Sequence, residues 1–169
     1  MTIAVTIEPL RPHHDRQRFS CGVQALDRYL RELASQDAKR RLSNCFVAVG
    51  QGDEIVGFYT FAAASFPIGE LPPEQTKRLP RYPVLPAGLI GRLAVATTHK
   101  GQGLGGTLIM DAALRAARAD PAIFALIVDA KDEPAAQFYE HLGFRRFTSR
   151  PGSLFVPIAT VIQAFDGMR

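Results

Sequence analysis

Apolar and polar positions change rhythm several times along the chain. TIAVTIEPL, near the start, alternates and is rich in β-branched residues, which predicts a first strand ended near Pro9. In SCGVQALDRYLRELASQDAKRR the period becomes helical. Val23, Leu26, Leu30 and Leu33 recur at helical spacing, with Ser20 as the expected N-cap. NCFVAVG and EIVGFYTFAAA read as two strands joined by GQGD, a hairpin signal. Residues 65–88 hold six of the twelve prolines, which predicts a long structured loop with a helical turn at PPEQTKRL.

The second half has a different texture. GLIGRLAV is an apolar strand, GGTLIMDAALRAARAD an alanine-rich helix, and IFALIVDA a further apolar strand. Two apolar strands joined by a helix form a βαβ unit with parallel strands and a right-handed crossover. EPAAQFYEHLGF then reads as a short helix opened by Pro134 and closed by Gly143. FRRFTS and SLFVPI read as closing strands around RPG. The expected class is α/β: a mixed, mostly antiparallel sheet with one central parallel βαβ step, flanked by helices, in a single domain over residues 1–169.

Composition narrows the class. The chain is 47% apolar and 21% charged, ordinary for a globular protein. Its apolar runs fall short of the ~20 residues a membrane span needs, and its start lacks a secretory pattern. Cys21 and Cys45 have no metal-ligand spacing and form no disulfide framework, so a reducing cytoplasm is the simplest expectation. The histidines (13, 14, 99 and 141) likewise show no ligand spacing, and no metal is expected. The net charge of +4 is more telling, because a small basic protein attracts polyanions. Its cations cluster at Lys39-Arg40-Arg41, at Lys77-Arg78 with Arg81, and at Arg145-Arg146 with Arg150.

HKGQGLGG (residues 99–106) carries the chemistry. Gly101-x-Gly103-x-x-Gly106 spells a dinucleotide fingerprint, with Asp129 placed for a ribose. Against that reading, strands precede the motif, Ala96 to Lys100 make the turn loose, and too little chain follows Asp129 for a doubly wound sheet. A P-loop is excluded, since no Gly-Lys-Ser/Thr closes the motif. What the glycines do permit is convergence of several N–H groups on an anion at a helix N-terminus.

KGQGLG resembles the R/Q-x-x-G-x-G/A loop of the GCN5-related N-acetyltransferases, which binds the pyrophosphate of acetyl-coenzyme A. DEPAAQFYEHLGF is similar to that family's N-x-x-A-x-x-x-Y…G-F helix, matching at Asp132, Ala135, Tyr139, Gly143 and Phe144. FSCGVQALDRYL, NCFVAV, LPRYPVLPAGLIGRLAV, VDAKD and SLFVP extend the resemblance to the acetyltransferase toxins of type II toxin–antitoxin pairs, over nearly all of residues 5–157. The chain departs from the pattern at Lys100, where Arg or Gln leads the loop, at Ala96, where Asp is frequent, and at Asp132, where Asn begins the helix.

The resemblance implies acetyl-CoA as donor and assigns its binding to Leu93, Ala94, Val95, Lys100, Gly101, Gln102, Gly103, Leu104, Gly105, Gly106, Asp132 and Phe138. The N–H groups of Leu93 and Val95 would meet the acetyl carbonyl and the pantetheine arm. Tyr139 is the expected general acid, since a phenol with a pKa of about 10 stays protonated at neutral pH. Phe138, a helical step away, is expected to fill the core while Tyr139 points elsewhere. Many acetyltransferases place a glutamate on the strand before the loop, but Leu89–Val95 contains no carboxylate. A lysine amine (pKa about 10.4) needs such a base, whereas an α-amine near 8 already has a substantial neutral fraction. The resemblance therefore implies acetylation of the α-amine of aminoacyl-tRNA, which inhibits translation. Other substrates of the same chemistry are a small-molecule amine or a protein N-terminus. Lys39, Arg40, Arg41, Lys77, Arg78 and Arg81 would track RNA phosphates, and Arg92 faces either RNA or the core edge. A cognate antitoxin protein and a homodimer are further implications of the resemblance.

Overall fold

The computed structural model describes residues 4–167. The strands β1 (Thr6–Pro9), β2 (Asn44–Val49), β3 (Ile55–Pro67), β4 (Val84–Val95), β5 (Ala125–Asp129), β6 (Arg145–Arg146) and β7 (Ser153–Pro157) form one seven-stranded sheet in the order β1-β2-β3-β4-β5-β7-β6. β4 and β5 run parallel from Ala87↔Ala125 to Ile90↔Val128, and the helix between them, α4 (Leu104–Arg118), makes the anticipated βαβ step. β1/β2, β2/β3, β5/β7 and β6/β7 are antiparallel. The class is the mixed α/β one anticipated.

The chain divides into two compact units, one built from the segment through Ala62 with Gly91–Ala112, the other from Ala63–Ile90 with Ala113 onward. In the first, β1, β2 and β3 stack against a helical run of α1 (Gln24–Arg28), a π-helical turn (Tyr29–Leu33) and α2 (Ala34–Lys39). Its core holds Phe19, Leu30, Ala34, Val47, Phe58 and Ala94. The helical run differs from the sequence reading in two ways. It is capped at Val23, because Gly22 has φ +88, which no helix accommodates. In the π turn, which has more residues per turn than an α-helix, the inward position passes from Leu33 to Ala34. Ala34 is fully buried, while Leu33 is 41% exposed.

In the second unit, Phe66, Leu71, Leu85, Ile127, Phe147 and Phe155 pack together, with Ile68, Leu79 and Phe124 against them. β3 extends to Pro67 and β4 starts at Val84, so the proline-rich loop is shorter than anticipated. Its helical turn is present as α3 (Pro73–Thr76), opened by proline as expected. After β5 come α5 (Glu133–His141), the two closing strands, and α6 (Ile158–Gly167), a helix the sequence reading did not foresee. β1 is shorter than read, and Thr2 and Ile3 lie outside the described residues.

Candidate active site

The first unit holds the end of β4, the glycine loop and the start of α4. The Ala96 N–H donates to the Val56 carbonyl of β3 over 2.8 Å. Successive N–H groups of an extended strand point to opposite edges, so those of Val95 and Leu93 point away from β3. Ala94 is buried, and Leu93 and Val95 are half-buried. A short turn at Thr97–His99 follows, held where the Thr97 N–H donates to the Ser20 carbonyl at 2.9 Å.

Gly101 and Gly103 then adopt φ +77 and +81, conformations that L side chains resist, and a Cβ at either would meet no atom within 4 Å. The loop backbone therefore faces open space. The first helical bond of α4 runs from the Thr107 N–H to the Gly103 carbonyl at 3.2 Å. Gly103 occupies the cap position without a side chain to accept a bond, so Leu104, Gly105 and Gly106 present N–H donors that the helix itself leaves over. With the helix dipole behind them, these donors suit a pyrophosphate. Lys100 and Gln102 are exposed at the loop, with the Lys100 ammonium 3.8 Å from where a Cβ on Gly22 would stand.

Gly57, outside the motifs the sequence offers, is what lets these parts approach. A Cβ there would lie 3.1 Å from the Ala94 carbonyl oxygen and 3.3 Å from the Leu104 and Leu108 side chains. A small residue inside an apolar strand is the signal that could have flagged it.

The second unit holds α5. Asp132 caps it, its carboxylate accepting from the Ala135 N–H at 2.9 Å. At the other end Gly143 has φ +103. Its N–H donates to the Glu140 carbonyl, and the Phe144 N–H donates to that of Tyr139, which together form a Schellman motif. Tyr139, half-buried in the last turns, has its ring 5.5 Å from that of the buried Phe144. Burial, and secondarily the Asp129 carboxylate, pushes the Tyr139 phenol above its ordinary value, so it stays protonated at neutral pH. Asp129 is itself held by the Ser153 hydroxyl at 2.5 Å. In the sequence Asp129 stands out only as a ribose-ligand candidate, with nothing linking it to Tyr139. Phe138, expected in the core, is instead 39% exposed. The α5 residues that turn inward are Ala136 and, in part, Ala135 and Tyr139, so Phe138 falls on the outer side of the helix.

The cations differ in their surroundings. Arg145 pairs with Glu74, Arg146 with Glu133 and Glu140, and Arg150 with Glu70, which neutralises that cluster. Lys39, Arg40, Arg41, Lys77, Arg78 and Arg81 are exposed and, among the described residues, pair with no carboxylate. Arg92 is half-buried, its guanidinium carbon 3.7 Å from the centroid of the Tyr29 ring. The Tyr29 hydroxyl in turn donates to Asp37 at 2.8 Å. Glu8, His13 and His14 bring ligand-type atoms within 4.8 Å of one another, a grouping the sequence spacing did not suggest. Both ring nitrogens of the buried His14 are engaged, Nδ1 accepting from the Arg11 N–H at 2.9 Å and Nε2 paired with Glu8 at 2.6 Å. That is a satisfied structural histidine.

Known proteins resemble this chain over most of its length. A tRNA-acetylating toxin of Mycobacterium tuberculosis is 37% identical over 132 residues, covering 77% of this chain and 78% of that protein. Among solved structures, AtaT complexed with acetyl-methionyl-tRNAfMet superposes with a TM-score of 0.87 at 29% identity, over 96% of this chain and 99% of that one. AtaTR bound with AcCoA gives 0.78 at 27% identity, over 95% and 98%. Residues 8–144 match the acetyltransferase (GNAT) family. A glycine loop opening a helix behind an apolar strand, a proline-led helix that carries Tyr139 and is closed by Gly143, and a match over most of the chain place this protein in the GNAT acetyltransferase family.

Proposed function

We propose that the protein moves an acetyl group from acetyl-CoA to the α-amino group of aminoacyl-tRNA, working as one acetyltransferase domain and blocking translation as a toxin. The observation that carries this reading is the carboxylate-free strand β4 running into a glycine-capped helix whose leading N–H donors are open. Such a site can hold a pyrophosphate but offers no acidic base on that strand, which suits an amine with a substantial neutral fraction at neutral pH. The named relatives, a tRNA-acetylating toxin and AtaT with acetyl-methionyl-tRNA, support the choice of substrate.

Acetyl-CoA supplies the thioester whose acyl carbon the amine attacks. The chain's own groups do the rest. Gly101, Gly103, Gly105 and Gly106 let the loop backbone approach the pyrophosphate, Leu104 adds its N–H, and Lys100 and Gln102 flank it. The N–H groups of Leu93 and Val95 bond the acetyl oxygen and the pantetheine arm, with buried Ala94 fixing the strand between them. Asp132 holds the first turn of α5, and Phe138 offers its exposed ring to the coenzyme. Tyr139 gives its phenolic proton to the departing thiolate as the C–S bond breaks, and the amine's proton leaves to solvent. Lys39, Arg40, Arg41, Lys77, Arg78, Arg81 and Arg92 bind the RNA.

Among the described residues no helix is long and apolar enough to cross a membrane. Cytoplasmic action beside charged tRNA, a homodimer, and a cognate antitoxin protein complete the reading. Incubation with radiolabelled acetyl-CoA and with charged or deacylated tRNA tests it. Label on charged tRNA only, lost in Tyr139→Phe, is the expected result. Label on neither, with acetyl-CoA still bound, would redirect the search to small amines and peptide N-termini.

A further inference from the structure

We propose that the surface around Tyr82 binds an unpaired nucleobase of the RNA substrate by stacking, with Lys77 and Arg81 taking the neighbouring phosphates. This rests on the aminoacyl-tRNA reading and adds to it a residue that engages a base.

The second unit carries a cavity of about 600 Å³ lined by Ile68, Thr76, Lys77, Leu79, Arg81 and Tyr82, among others. Its volume lies in the range of small-ligand sites. Ile68 and Leu79 are partly buried and pack against the core of the unit, which ties the cavity floor to it. The rim is fixed as well. The Ile68 N–H donates to the Pro83 carbonyl at 3.1 Å, and the Tyr82 N–H to that of Pro80 at 2.9 Å. Proline on both sides restricts the backbone that carries Tyr82.

Tyr82 is exposed as no other tyrosine of the chain is. It is 62% exposed, while Tyr29 and Tyr59 are buried and Tyr139 is half-buried. Holding a large ring in water on a rigid segment has no packing benefit. Lys77 and Arg81 stand on the same cavity without carboxylate partners among the described residues, and no acidic side chain lines it. A flat aromatic beside unpaired cations is the combination that holds single-stranded nucleic acid, because every base has a face to stack and every link a phosphate. An acidic peptide would satisfy the cations but leave the ring unused.

The protein contains no tryptophan, so Tyr82→Trp creates a single tryptophan, excited selectively over the remaining tyrosines, that retains the stacking surface. A single-stranded RNA trinucleotide should quench its emission, and an abasic chain with the same phosphates should not. In the acetylation assay Tyr82→Ala and Tyr82→Leu should raise KM for charged tRNA about tenfold with little change in kcat, while Tyr82→Phe stays near wild type. Circular dichroism checks that each variant is folded. Equal quenching by the abasic chain, no quenching at all, or an unchanged KM in Tyr82→Ala while the wild-type protein acetylates charged tRNA would overturn the inference. A wild-type protein that labels no charged tRNA would instead overturn the substrate reading on which it stands.

Discussion

The Phe144 N–H donates to the Tyr139 carbonyl over 3.1 Å, and the two rings meet at 5.5 Å and 62°. One motif thus closes α5 and fixes the backbone that carries the proposed general acid. The arrangement depends on Gly143, whose φ of +103 lies outside what a residue with a Cβ tolerates. A Cβ there would meet nothing within 4 Å, so strain alone sets the cost. Gly143→Ala should lower stability by about 1–3 kcal/mol and lower kcat, with acetyl-CoA affinity retained. Urea unfolding and steady-state kinetics on the same preparation check this. An unchanged kcat would mean that the cap does not position Tyr139.

Tyr139→Phe keeps the ring contacts and removes only the proton donor. It should leave Tm near wild type and lower kcat by roughly 10²–10⁴-fold. The pH profile distinguishes an acid from a base. If the limiting event is deprotonation of the substrate α-amine, kcat/KM rises to about pH 8 and then stays level. Any fall from loss of the phenolic proton should come above the ordinary phenol value of about 10, because burial shifts the Tyr139 phenol upward. Continued increase through that range would make Tyr139 the base.

The sequence made the β4-loop-α4-β5 step and the cap of α5 legible because each depends on local chemistry: glycine at positive φ, proline at a first turn, a carboxylate at an N-cap. What it hid depends on geometry beyond the local period. A single π turn moved the inward position from Leu33 to Ala34. The exposure of Phe138 and the partial burial of Tyr139 followed from which side of α5 packs, which a short amphipathic pattern does not decide. The role of Gly57 and the proximity of Asp129 to Tyr139 come from pairing between distant segments. Charge clusters were readable as clusters, but Arg145, Arg146 and Arg150 were not readable as paired.

The glycine loop can be tested with an internal control. Gly103 and Gly152 have nearly the same φ, +81 and +82, at unrelated places. Alanine at either should lower stability by a similar amount, of order 1–3 kcal/mol. Only Gly103→Ala should weaken acetyl-CoA binding, because only there do helix donors converge on open space. Isothermal titration of both variants decides the matter. Equal loss of affinity would show that the loop's glycines serve folding and not the pyrophosphate.

Burial also shapes the response to alkali. It pushes the Cys45 thiol up to about 12 and raises Tyr29 and Tyr139 as well. Above the unfolded pKa values the unfolded chain releases protons that the folded one retains, so stability falls as pH rises. Their contribution should be complete below about pH 8.5, the unfolded thiol value, and decline progressively toward pH 12. Urea midpoints at graded pH should show this, and Cys45→Ser should lose part of the early decline, the buried Cys21 thiol keeping the rest. A midpoint flat from pH 8 to 11 would contradict the burial of these groups.

Arg92 is poised between two roles that a pair of measurements separates. Its guanidinium stacks on Tyr29, whose hydroxyl is tied to Asp37, and this contact alone gives it a structural purpose. Arg92→Lys keeps the charge but loses the planar stack, and should lower stability by about 0.5–2 kcal/mol. A residue serving only the stack would leave the salt dependence of tRNA binding as it was. A residue that also neutralises a phosphate, as proposed, should when changed to Met reduce the slope of log K against log salt by about 1. Arg40→Met, at an exposed position without a stacking partner among the described residues, should reduce the slope similarly at no cost in stability. A slope altered by Arg40→Met and not by Arg92→Met would confine Arg92 to the fold and assign RNA contact to the exposed cations.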